Sequence, residues 1–201
     1  MTLFNLPVSI KTYRMSGPRL NVLYPVIVEL PDSAVQQQIN QLIVGEVKRQ
    51  IHQQGYPLNP NTELTGYYEI KTNERGVLSL SLYNESYASN THRWTLQNSL
   101  TFDVQTGKLY TLQDLFVHGV DYVQSVSDIV GQQIRDRHIP LQSEFKGIRP
   151  NQDFYIADKA LVVYFQLEEI TAYVYGFQYF PISVYEIQNI INEQPLGTMM
   201  Y

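Results

Sequence analysis

Apolar and polar residues alternate through most of this chain, and three stretches of helical spacing interrupt the alternation. The clearest turning point is residues 99–116. Leu100, Phe102 and Val104 alternate with Thr101 and Asp103, the period of a half-buried strand. Residues 105–108 form a tight turn around Gly107. Leu109 and Tyr110 return as a short strand, and Leu112, Leu115 and Phe116 cap a core in a helical turn.

Upstream, residues 7–30 read as two strands. Val8, Ile10 and Tyr13 mark the first, Leu20 to Leu30 the second, and Ser16, Gly17 and Pro18 the turn between them. Pro25 gives the ladder no donor, so the second strand is expected at an edge or broken there. Ser33 and Gln36 stand at capping-box spacing. Val35, Ile39, Leu42, Ile43, Val47 and Ile51 then recur on one helical stripe, and Gly55 ends it. Residues 64–71 and 77–87 form a predicted hairpin, with Leu78, Leu80 and Leu82 on one face and Ser79, Ser81 and Tyr83 on the other. The polar segment 84–94 joins it to the strand before the turning point.

Downstream, Asp121 caps a second helix, with Gln124 placed to reciprocate and Tyr122, Val123, Val126, Ile129, Val130 and Ile134 inside. Residues 152–157 and 160–167 form a hairpin around Asp158 and Lys159. A last strand is expected over 172–182, with Gly176 as a bulge or point of close approach. Ser183 and Glu186 form a capping box for a third helix, with Val184, Ile187, Ile190 and Ile191 inside, before Pro195, Gly197 and a frayed tail. The predicted class is α+β, mainly antiparallel sheets packed by three amphipathic helices. One domain is expected over 1–201, with a weak division into 1–90 and 91–201.

Composition narrows the partners. The chain has 201 residues, 44% hydrophobic and 16% charged, with a net charge of -5. Nucleic acid is an unsuitable partner, because phosphate neutralisation needs clustered Lys and Arg. There is no cysteine, so thiolate chemistry, disulfides and Cys-held zinc are excluded. The first residues lack a basic region followed by an apolar run, so no signal peptide is expected in this chain, and no stretch suits a membrane span. Neither compartment nor oligomeric state follows from these features. Sixteen tyrosines are the compositional anomaly. They suit β-sheet packing with the hydroxyl in water, and also a wet recognition surface.

Catalytic patterns are weak. His52, His92, His118 and His138 show no ligand spacing, so no metal is expected. There is no nucleophile elbow and no glycine-rich phosphate loop, and no cofactor is expected. Glu168 and Glu169 are adjacent and would face opposite ways in a strand. Either could pair with Asp153 or Glu85 in glycoside hydrolysis, or simply lie at a strand end beside Arg or water. The group Tyr87, His92, Arg93 and Trp94 offers stacking and charge suited to sugars or peptides. Trp94 serves equally as a core aromatic of the following strand.

The order TFDVQTGKLYTLQDLF, amphipathic helix, hairpin with LVVYFQLEEI, then TAYVYGFQYFPISVYEI resembles a bacterial family of unknown function. That family includes the extracytoplasmic domain of lysozyme-sensing anti-sigma factors and a non-catalytic domain of certain peptidoglycan deacetylases. Phe102, Asp103, Thr106, Gly107, Leu112, Asp114, Leu115 and Phe116 carry the first motif. Tyr164, Phe165, Tyr173, Gly176, Phe177, Ile182 and Tyr185 carry the closing one. Thr91, His92 and Arg93 depart from the small residue and His-Gly pair of the family, and no stretch of this chain is expected to serve as the membrane helix or sigma-binding segment of the anti-sigma members. The resemblance implies a non-enzymatic binding or sensing module for a cell-wall glycan or a basic protein such as lysozyme. Tyr87, His92, Arg93, Trp94, Glu168, Glu169 and Tyr173 are the candidate contact residues. A carboxylate-dependent glycan-active enzyme and an intracellular interaction domain are the alternatives.

Overall fold

The computed structural model describes residues 8–58, 61–88 and 93–201. They form a mixed α and β structure with mainly antiparallel sheets, in two compact units, Met1–Leu109 and Tyr110–Tyr201.

The first unit is a five-stranded sheet in sequence order. Its strands are β1 (Ser9–Gly17), β2 (Leu20–Val28), β3 (Thr62–Glu74), β4 (Val77–Ala88) and β5 (Trp94–Asp103). Every neighbouring pair is antiparallel except β2 and β3, which run parallel over three residue pairs from Leu20↔Leu64 to Val22↔Gly66. A parallel pair needs a crossover, and helix α1 (Ser33–Gln53) supplies it. Beyond Val22, β2 pairs only with β1, so Pro25 sits where the outer side of its strand needs no donor. Asn40 of α1 fills part of that gap. Its Oδ1 accepts from Ile27 N at 2.7 Å and its Nδ2 donates to Ile27 O at 2.8 Å.

The cap of α1 lies one residue earlier than the pattern suggests. Asp32 Oδ1 accepts from Ala34 N and Val35 N. Gln36 Oε1 instead accepts from Leu30 N, outside the helix. The Asp32 carboxylate reaches the first-turn donors and takes the place of the Ser33 box. At the other end Gly55 takes a φ of 87°, and Tyr56 N and Gly55 N donate to Ile51 O and His52 O. This is a Schellman ending, which the left-handed glycine permits. Ile39, Ile43, Val47 and Ile51 pack on Leu64, Leu78, Leu80, Leu82, Leu100 and Phe102, while Leu42 turns outward.

The second unit holds α2 (Tyr122–Asp136) and an antiparallel sheet of β6 (Phe154–Ala157), β7 (Ala160–Phe165) and β8 (Gln178–Ser183). Asp121 Oδ1 accepts from Gln124 N at 3.0 Å, as a cap should, but the Gln124 amide donates to Asp128 instead of reciprocating. Val126, Val130 and Ile134 are the buried stripe. The open edge of β8 is covered by side chains of α2 and of Arg137, the residue that follows it. Gln133 Nε2 donates to Pro181 O at 2.8 Å and Arg137 Nη1 to Tyr179 O at 2.7 Å.

Three expectations are corrected here. The described residues hold two α-helices, and residues 184–190 form successive turns instead of a third helix. Val184, Ile187 and Ile191 are buried as their spacing implies. Their backbone, however, is taken by other partners: Val184 N donates to Lys159 O, and Ile190 O accepts from Val117 N. A short segment rich in β-branched residues and asparagine gains little from helix formation, so these tertiary bonds prevail. The last strand begins only at Gln178, because residues 173–175 form a 3-10 turn ended by Gly176 at a φ of 69°. The tail is packed, with Leu196 and Met199 buried and Met200 O accepting from the Tyr185 hydroxyl.

Candidate functional site

Side chains of β3, β4 and β5 alternate between two faces. The even positions of β4 and β5 meet α1. The odd positions of the opposite face begin with Glu63, Thr65 and Tyr67 on β3, paired across to Tyr87, Glu85 and Tyr83 on β4. Arg93 precedes β5, and its Nη1 donates to Glu85 Oε1 at 2.9 Å. Glu63, Thr65, Glu85, Tyr87 and Arg93 line a groove of about 320 Å³. Tyr87 remains 49% exposed beside it.

One step along the same face Tyr67 stacks on Tyr83, with centroids 4.8 Å apart and planes at 11°. The Tyr83 hydroxyl donates to Glu69 Oε2 at 3.1 Å, Lys71 Nζ donates to the same oxygen, and the ammonium lies 5.7 Å from the Tyr83 ring centre. The Lys71 hydrogen bond, helped by that of Tyr83, holds the Glu69 carboxyl below the usual carboxylate range despite its desolvation. Burial, with the fields of Glu69 and Glu85, pushes the Tyr67 phenol up. Deeper on this face the polar groups satisfy one another: Ser79 Oγ meets Thr101 Oγ1 at 2.9 Å, and Ser81 Oγ meets Ser99 Oγ at 2.8 Å.

The structure thus unites Tyr87 and Arg93 but not Trp94. Trp94 lies across from Ser86, on the helix-bearing side, 45% exposed, and its carbonyl accepts from Gln54 Nε2. His92 lies outside the described residues. Glu63, Thr65 and Tyr67 enter this surface only through strand register, which no local motif announces.

In the second unit the chain leaves β7 and turns sharply. Glu168 has a φ of 63° and is exposed. Glu169 closes the turn: its Oε2 accepts from Gln166 N at 2.8 Å, and its Oε1 lies 3.1 Å from Arg149 Nη2. Asp153 Oδ2 is 3.8 Å from the same guanidinium and accepts from Gln166 Nε2. Glu169 and Asp153 therefore do come together, around a shared arginine, as a staple at the root of the following loop. The bonds of that staple are made by Arg149, Asp153, Gln166 and Glu169, and Glu168 is exposed beside them.

That loop ends in a tip. Tyr173, Val174 and Tyr175 are 42%, 81% and 53% exposed. Gln178, itself buried, latches the tip: its Nε2 donates to Tyr175 O at 2.8 Å and Gly176 O at 3.3 Å. Tyr173 was a predicted contact residue; Val174 and Tyr175 were not, although the YVYG sequence carries them. Among the described residues no cluster of His, Asp and Glu is arranged to hold a metal ion, and no helix is long and apolar enough to cross a membrane.

Comparison with known proteins agrees with this architecture. A family model described as a protein of unknown function (DUF3298) matches residues 113–185, from the turn before α2 through the tip to the end of β8. The chain is similar to a crystal structure of a DUF3298 family member from Bacteroides fragilis, with 13% identity, a TM-score of 0.71, and 98% of each chain covered. It is also similar to a DUF3298 family protein from Pseudomonas aeruginosa, with 12% identity, a TM-score of 0.64, and 94% of this chain and 96% of that one covered. At such identities the likeness is one of fold. No curated protein matches the sequence.

Proposed function

We propose that this chain is a non-enzymatic recognition module of the bacterial envelope whose partner is a basic protein such as a muramidase. The observation that carries the reading is the tip at Tyr173, Val174 and Tyr175. Three consecutive large side chains stand in water, on a loop held at its root by Arg149 and latched by Gln178. Exposed apolar surface of this kind is costly to keep without a partner. Tyrosines flanking an aliphatic residue are typical interface anchors. Because the backbone is already fixed, little ordering entropy opposes binding. A protruding tip suits a cleft, and a net charge of -5 steers a basic partner toward it.

The test is a calorimetric titration of a basic lysozyme into the whole chain and into V174D. The wild type should bind at micromolar concentration or better, and V174D should lose about 2 kcal/mol of binding, roughly thirtyfold. Its thermal midpoint should be nearly unchanged, because Val174 is 81% exposed. No binding by the wild type, or equal binding by V174D, would overturn the reading.

A further inference from the structure

We infer that the groove between β3, β4 and the start of β5 is a binding site for a neutral oligosaccharide. Glu63 and Glu85 line the groove together with Arg93, and the Arg93 guanidinium is bonded to Glu85 at 2.9 Å. The Arg93–Glu85 pair is internally neutralised and the Glu63 carboxylate lies beside it, so an anionic ligand would be repelled. A ligand rich in hydroxyls can use these groups as donors and acceptors without carrying a charge. It can donate to Glu63 and Glu85, accept from Arg93, and exchange either role with Thr65.

The aromatic groups complete the match. Tyr87 borders the groove with half its surface in water, and Tyr67, 52% exposed, follows on the neighbouring strand. Tyr87 lies across from Glu63, four residues from Tyr67, so the two backbone positions are roughly 13 Å apart along the strands. Each tyrosine offers a face for the C–H side of a pyranose ring, where dispersion contacts and a polar rim act together. Stacking of Tyr67 on Tyr83 holds one platform, and the Arg93–Glu85 pair orients donors and acceptors at the other. An open groove of about 320 Å³ takes about one or two sugar rings.

This site stands without the tip, so the two readings can fail separately. The experiment is a titration of the whole chain with chitotetraose, an uncharged oligosaccharide, and with its deacetylated, cationic counterpart. Y87A, R93Q and V174D are run beside the wild type, each checked for an unchanged melting curve. Chitotetraose should bind saturably. Y87A and R93Q should each weaken it about tenfold, and V174D should bind as the wild type does. Two independent groove variants keep the test open if one of them fails to fold. No binding of chitotetraose at millimolar concentration, tighter binding of the deacetylated form, or full binding by both groove variants would overturn the inference. Loss of lysozyme binding in V174D with chitotetraose binding intact would support the groove while testing the tip on its own.

Discussion

The tip of the second unit and the open sheet face of the first both display tyrosines to water, yet they are built in opposite ways. The tip is three successive residues on one loop, fixed by a single buried amide, Gln178, and by an ion pair at its root. The sheet face draws on three strands and is fixed by their register. At the tip the exposed surface is largely apolar, so its binding energy would come from desolvation, about 1.5–3 kcal/mol for a fully buried aliphatic side chain. On the sheet face every tyrosine has a carboxylate or a cation close by, so recognition there would rest on polar pairing and stacking. A loop tip can be lost by cutting one latch, whereas a sheet face is lost only by disturbing the ladder.

The largest effect should come from attacking the ladder. Gly66 sits in β3 where a Cβ would lie 2.9 Å from Val22 Cγ1 and 3.0 Å from Tyr83 O, and against Asn84 Oδ1. G66A should therefore cost about 3 kcal/mol in urea unfolding, as overpacking of a closed site does. G45A is the control. It lies in α1 with nothing within 4 Å of the new methyl and should gain about 0.7 kcal/mol. Next comes the latch. Q178A removes two bonds to the tip and should cost about 2 kcal/mol, with lysozyme affinity falling about tenfold although no tip side chain is changed. If affinity survives, the tip does not need its fixed backbone, and the contrast between latch and ladder fails.

The smallest effect concerns pH. The Glu69 carboxyl is depressed in the folded state by Lys71. Its pairing therefore stabilises the fold at neutral pH, and that contribution fades as pH falls through the carboxylate range. The Glu69 side chain is 47% exposed, so K71M should lower stability by about 0.5 kcal/mol at neutral pH and flatten the acid limb of the stability curve. An unaltered acid limb would remove Lys71 from the account of this face.

Much of the architecture was legible because it is local. The stripe Ile39, Ile43, Val47 and Ile51, the Asp121 cap and the hairpin turn at Asp158 follow from spacing and turn chemistry over a few residues. The third helix was misread for the same reason. Val184, Ile187 and Ile191 have helical spacing and are buried, but spacing cannot show that Lys159 and Val117 claim the backbone of that segment. The capping box at Ser33 failed because Asp32, one residue away, offers a better acceptor. Tyr173 was found through a contiguous motif. Glu63 and Thr65 were missed because they join Tyr87 only through the pairing of β3 with β4, some twenty residues distant. Trp94 was grouped with Arg93 by adjacency, and adjacency in a strand is what sends two side chains to opposite faces.

The most direct test of the central claim is a hydrogen–deuterium exchange footprint of the whole chain with and without a saturating basic lysozyme. Added protection is expected to centre on residues 172–177 and to fall in step with affinity in Q178A. Protection confined to other segments, with residues 172–177 exchanging as in the free protein, would contradict it.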